Sequence, residues 1–274
     1  MRKFLYLLLS ALTLWFGGCA QAPLGLTVVA SAAPDLDKLP RVSGVLTADL
    51  VLEGAVVLAD DLLVPAGITL TLRPGTVVYV VPSDSTKIDP EWLSSATELL
   101  VRGTLRSEGT AAHPVLFNLS RPKEEGAYAW AGLLLDGATD SLIRHTRIEH
   151  AEQGILCINS SPEIRDSEIL ACRYGIIAQQ RSAPSLIGNL IEGGEAGVFC
   201  WIESHPLMLD NRILNHNEEG LFIDRSSRPR LQGNRISGNG IGIALHGPVD
   251  SAPTDQVRGN QQDVRLLGLP GGRP

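Results

Sequence analysis

The side chains best able to do chemistry recur at an interval. Glu152, Arg173, Glu195 and Glu218 stand 21, 22 and 23 residues apart. Carboxylates stacked on neighbouring turns with a basic side chain between them are what holds a divalent cation or removes a proton beside one. The alternation of sign at Glu152 and Arg173 reads more simply as a solvated ion-pair ladder. Of the six histidines, His145 and His150 form the nearest pair, and neither belongs to a Cys/His cluster with metal-ligand spacing. No catalytic residue and no metal ligand is assigned.

A second set of columns has a different chemistry. Glycines at 154, 175, 197, 220 and 242 are each followed by an aliphatic residue. Two residues after each stand Leu156, Ile177, Phe199, Phe222 and Ala244, an outward column that is nevertheless apolar. The next outward column is Ile158, Gln179, Trp201, Asp224 and His246. Aromatic faces beside hydrogen-bonding groups suit a sugar ring, so Gln179, Phe199, Trp201, Phe222, Asp224 and His246 form a candidate glycan site. Coverage by the protein's own tail or loops, or by another protein, remains open, and a slip of residue parity at a bulge would turn the column inward.

These residues need a scaffold that repeats about every 22 residues. Prolines at 162, 184, 206 and 229 keep the register, each two residues after Ser160, Ser182, Ser204 and Ser227. Another column reads Ile148, Ile169, Ile191, Ile213 and Ile236, preceded by Thr146, Ser167, Asn189, Asn211 and Asn234. Each repeat offers short alternating stretches between turn formers, and one repeat alone buries no core. Stacking repeats about 4.8 Å apart completes both hydrogen bonds and core, and stacked Asn side chains form ladders, a structural role. Cys157 and Cys200 fall in an inward column two coils apart, about 9.6 Å, too far for a disulfide. They read as core thiols; Cys172 lies at a turn with no partner in the register.

The N-terminus has Arg2 and Lys3, an apolar run from Phe4 to Phe16, then Gly17, Gly18 and Cys19. The run is shorter than the ~20 residues that span a bilayer and reads as an export signal. Its small-small-Cys ending resembles the lipobox of bacterial lipoproteins, with Phe16 a departure from the usual aliphatic residue. That resemblance implies lipidation of Cys19 and, from Ala20, an outer-membrane rather than inner-membrane address. Cleavage after Ala32 is the alternative. A net charge of −7 and no basic run downstream of Lys3 argue against nucleic acid.

Further phrases, from Leu62 to Val77, Leu99 to Leu105 and Trp130 to Leu133, join the repeats in resembling right-handed parallel β-helix proteins of the pectate-lyase-like superfold. The expected fold is therefore all-β, a single-stranded right-handed parallel β-helix. Expected boundaries are a signal peptide at 1–18, a tether at 19–43, the β-helix at 44–247 with inserted loops at 82–97 and 118–129, and a tail or partial cap at 248–274, in which 260–267 can add a partial coil. The superfold hosts lyases, hydrolases and plain scaffolds, so the resemblance fixes no activity. Polygalacturonase signatures are absent. A related β-helix family helps mature the copper site of nitrous oxide reductase, but only Met1 and Met208 offer thioethers here, which argues against soft-metal handling. The expected function is a non-enzymatic envelope module that binds polysaccharide, with a polysaccharide lyase or hydrolase and an envelope-protein scaffold as alternatives. No cofactor is expected, apart from calcium under the lyase alternative.

Overall fold

In the computed structural model the described residues are 34–83, 92–121, 128–246, 250–251 and 255–268. Two compact units, Met1–Pro34 and Asp35–Pro274, are distinguished, and the fold lies in the second. The expected signal peptide and Cys19 lie outside the described residues.

The second unit is a parallel β-solenoid of about nine turns with roughly 22 residues per turn. Among the described residues there is no α-helix, only a 3-10 turn at Leu36–Lys38. Strands stack in three columns. One forms a nine-stranded sheet from Leu50–Leu52 to Asp250–Ser251, and the other two merge into an 18-stranded sheet because the long strand Ala55–Val64 pairs with both. Every strand pairing is parallel, as expected when each strand meets its equivalent in the next coil.

Like stacks on like. Ile148, Ile169, Ile191, Ile213 and Ile236 are successive partners and all are buried, as are Ile164, Leu186, Met208 and Leu231 on the nine-stranded sheet. Inside the N-terminal half, the buried rings of Phe117 and Trp130 stack at 5.6 Å.

Close coil-to-coil approach explains the glycine column. A Cβ on Gly197 would lie 2.4 Å from the Gly220 carbonyl oxygen and 2.6 Å from Ile213 Cγ2, and Gly154, Gly175, Gly220 and Gly242 meet the equivalent atoms of their next coils. Backbone dihedrals play no part at these five positions; space does.

Buried amides tie the coils together. The Asn189 backbone N–H and side-chain Nδ2 both donate to Asn211 Oδ1 at 3.0 Å, Asn211 repeats this to Asn234 Oδ1, and Asn234 to Asp255 Oδ1. Each Nδ2 also donates to an inner carbonyl, that of Ile164, Leu186 or Met208. Because every coil donates forward, the last member needs only to accept, and a carboxylate does that. A second ladder runs from His216 through Asn239 and Asn260 to Asp263.

These ladders carry the solenoid past the expected limits. Strands begin at Arg41 and continue to Gln262–Leu266, so coil structure reaches three residues before 44 and well into the segment expected as a tail. Asp255 and Asn260 hold the extension in register. Of the two inserted loops, 84–91 and 122–127 lie outside the described residues.

Candidate functional site

The outward column of Leu156, Ile177, Phe199 and Phe222 is twice as long as its glycine register indicates. Val45, Leu63, Leu100, Leu134, Leu156, Ile177, Phe199, Phe222 and Ala244 are successive partners, and exposed Arg265 closes the column in the last coil. Val45 is exposed, but the stretch from Leu63 to Leu156 is roofed. Leu63, Leu100, Leu134 and Leu156 are buried with Ala131 beneath Trp92 and Ala96, in a hydrophobic cluster separate from the main core. The roof is the end of the first inserted loop, pinned where the Leu93 N–H donates to Glu98 Oε1 and the Thr97 hydroxyl donates to the Val81 carbonyl. Loop coverage, one of the alternatives in the sequence, therefore applies to this stretch. The runs Leu99-Leu100-Val101 and Leu133-Leu134-Leu135, apolar on both faces of a strand, are its sequence signal.

Phe199 and Phe222, farther along the column, are not members of that roofed cluster. The described part of the tail stacks as a further coil instead of folding back across them. Phe199 and Phe222 stack with centroids 5.1 Å apart and planes 27° apart, and Trp201 meets both edge-on at 5.7 and 6.0 Å. His246 lies 6.1 Å from Phe222. Trp201 is 41% exposed, Ile177, Phe199 and Phe222 are half-buried, and Ala244 is buried. Gln179, Phe199 and Trp201 line a recess of 270 Å³ together with Gln153, Leu156, Tyr174 and Ile177. Tyr174 and Gln153, absent from the expected site, each immediately precede a column glycine, and the Tyr174 ring meets Phe199 edge-on at 5.4 Å.

Asp224 takes a different role from its neighbours. Its carboxylate accepts from the backbone N–H groups of Ile202, Ser226 and Ser227 and from the Ser226 hydroxyl, all at 2.8–3.1 Å. Burial raises its pKa, but these donors outweigh it and hold the carboxyl below the ordinary range. It braces the turn beyond the aromatic cluster.

Three of the four residues of the charged column, Glu152, Arg173 and Glu195, form the ion-pair ladder; Glu218 stays outside it among the described residues. Arg173 reaches Glu195 at 2.9 Å and Glu152 at 3.4 Å, and lies 5.0 Å over the Tyr174 ring, whose hydroxyl donates to Glu195 at 2.9 Å. Arg173 holds Glu195 below the usual carboxylate range against the effect of burial. Cys157, Cys172 and Cys200 are buried and free, and burial pushes the thiols of Cys157 and Cys172 up to about 12. Cys172 packs in the column continued by His216, each facing a carbonyl of the isoleucine column. Met208 is wholly buried on the nine-stranded sheet. Among the described residues no three His, Cys, Asp or Glu side chains converge as a metal site would require.

The family described as periplasmic copper-binding protein (NosD) matches residues 118–260, more than half of the chain. The chain belongs to that family. No curated protein and no solved structure matches the chain. The NosD match covers all the regular 22-residue coils and both aromatic columns, and the family fold agrees with the right-handed β-helix expected from the repeats. A periplasmic family also agrees with export. Its match begins within the roofed stretch of the apolar column: Leu134 and Leu156 lie inside it, whereas Leu63, Leu100 and the roof formed by 92–97 lie outside.

Proposed function

We propose that this protein is an exported, non-catalytic β-helix module that docks a protein partner on the open half of its outward apolar column, centred on Phe199, Trp201 and Phe222. The supporting observation is internal to the molecule. The same column, in its first half, receives a polypeptide segment with Trp92 and Ala96 seated on its leucines, so this surface accepts apolar side chains from an irregular chain. A monomer gains nothing from leaving a contiguous apolar patch in water, and such patches mark interaction sites. A lipid on Cys19 and an outer-membrane location belong to this reading and rest on the N-terminal sequence.

A polysaccharide is the second reading, favoured by Trp201, whose ring is substantially exposed beside Gln179. It is the weaker one. Stacking on a sugar needs open ring faces, whereas Phe199 and Phe222 turn their faces toward each other. Asp224, expected to pair with hydroxyls, already accepts four donors.

Copper, named in the family description, does not fit the thiol, thioether and buried imidazole groups of the described residues. The thiols are buried in the protonated form, Met208 is inside the core, and His216 is neutral within an amide ladder. No step is drawn through the metal. Migration of the full chain through gels containing neutral and acidic polysaccharides separates the two readings. The docking reading predicts no retardation by any polymer. Retardation abolished by Trp201→Ala establishes the glycan instead.

A further inference from the structure

Resting on the docking reading, we infer that the segment bound at the open face is an extended polypeptide carrying lysine or arginine beside its apolar side chains. The strands that present Phe199 and Phe222 begin on an acidic flank. Arg173 answers Glu152 and Glu195, which leaves one negative charge on that part of the ladder. The next coil adds Glu218 and Glu219 side by side, and neither forms an ion pair among the described residues. Glu219 is half-buried, and its carboxyl is held above the ordinary range by that burial and by Glu218 and Glu195, with Arg265 opposing. Negative charge gathered beside an apolar surface attracts a cation that the apolar contact then holds in place.

The opposite flank differs. At the ends of the same strands Arg181 pairs with Glu203 at 2.7 Å, Asp224 faces its own turn, and Arg225 and Arg228 follow. Charge across the face is thus asymmetric, acidic where the strands start and neutral to basic where they end. A polypeptide also suits the recess at Gln153, Gln179 and Tyr174, which takes one large apolar side chain, while the roofed half of the column shows a tryptophan and an alanine on equivalent leucines.

The test is fluorescence anisotropy of three short synthetic peptides against the full chain: lysine alternating with leucine and tryptophan, the same with glutamate for lysine, and the first with alanine for its apolar residues. The basic apolar peptide is expected to bind, to weaken with added salt, to weaken more than about tenfold with Phe222→Ala, and to weaken about fivefold with Glu218→Lys, which strengthens the acidic peptide. Trp201→Ala, a change at an exposed position, repeats the first comparison should Phe222→Ala fail to fold. Equal binding of basic and acidic peptides, lost in Phe222→Ala, overturns the basic partner while the docking reading stands. Binding indifferent to both aromatic substitutions in folded variants overturns the docking reading itself.

Discussion

Phe199 and Phe222 occupy equivalent positions on adjacent coils and stack at 5.1 Å on the outside of the solenoid. Outside a β-helix, stacked identical residues are normally polar or charged, because this face meets water. Here the pair continues a line of leucines that the chain covers for itself up to Leu156, while among the described residues Phe199 and Phe222 stay half-buried and Trp201 exposed. The contrast between the covered leucines and the partly exposed aromatic residues of one column connects the packing to the proposed function.

The glycine column is a spacing device, so Gly197→Ala is expected to destabilise strongly. The added Cβ meets the Gly220 carbonyl oxygen, and neighbouring coils must move apart to admit it. A loss of about 3 kcal/mol or more follows for overpacking against backbone. Urea unfolding of Gly197→Ala beside Gly137→Ala, whose Cβ meets nothing within 4 Å but whose φ is +65°, separates crowding from backbone strain.

The asparagine ladder predicts a large effect at its centre. Asn211→Ala leaves the backbone and side-chain N–H groups of Asn189 and the Leu186 carbonyl without their partners inside the core. A loss of about 3 kcal/mol is expected, from more than one buried polar group left unpaired. Asn215→Ala, on an exposed amide that pairs with Glu192, is expected to change stability by less than about 1 kcal/mol.

His216 makes the fold sensitive to acid. Burial depresses its pKa from 6.5 to about 4, against the hydrogen bonds to the carbonyls of Ile191 and Gly193. Above pH 6.5 both folded and unfolded forms are neutral, and the contribution to stability is complete. As pH falls from 6.5 toward 4 the unfolded chain takes up a proton that the folded one refuses, and about 3 kcal/mol is lost. Asn239 and Asn260 hold the equivalent places in the ladder, so His216→Asn is expected to preserve stability at pH 7.5 and flatten this acid-dependent loss. Urea midpoints measured across pH 4–7.5 check it.

The three core thiols are expected to be silent toward iodoacetamide in the native protein and to react together on unfolding, since burial raises the pKa of each. Rapid modification of Cys157 or Cys200 under native conditions would contradict the inward register of that column.

Much of this was legible in the residues. Glycine, isoleucine and asparagine recur because coil spacing, core volume and ladder hydrogen bonds repeat, so the period and the inward columns follow from spacing alone. The aromatic cluster at Phe199, Trp201 and Phe222 was legible for the same reason. The roofed half was not, because inserted residues between Val80 and Glu98 break the period that relates Leu63 to Leu100. Nor was the role of Asp224, whose partners are backbone N–H groups that leave no pattern in side-chain identity. The second ladder was hidden because His216 and Asn239 differ in type while performing the same hydrogen bonding.

The most direct test replaces Trp201 with photoreactive benzoyl-phenylalanine in the full chain, expressed in its own cell envelope, with the same replacement at exposed Arg230 on the nine-stranded sheet as control. A discrete protein adduct from position 201, absent from position 230 and lost when Phe222→Asp is added, is the predicted result. A carbohydrate adduct from position 201, or protein adducts equal from both positions and indifferent to Phe222→Asp, would contradict docking at the aromatic face.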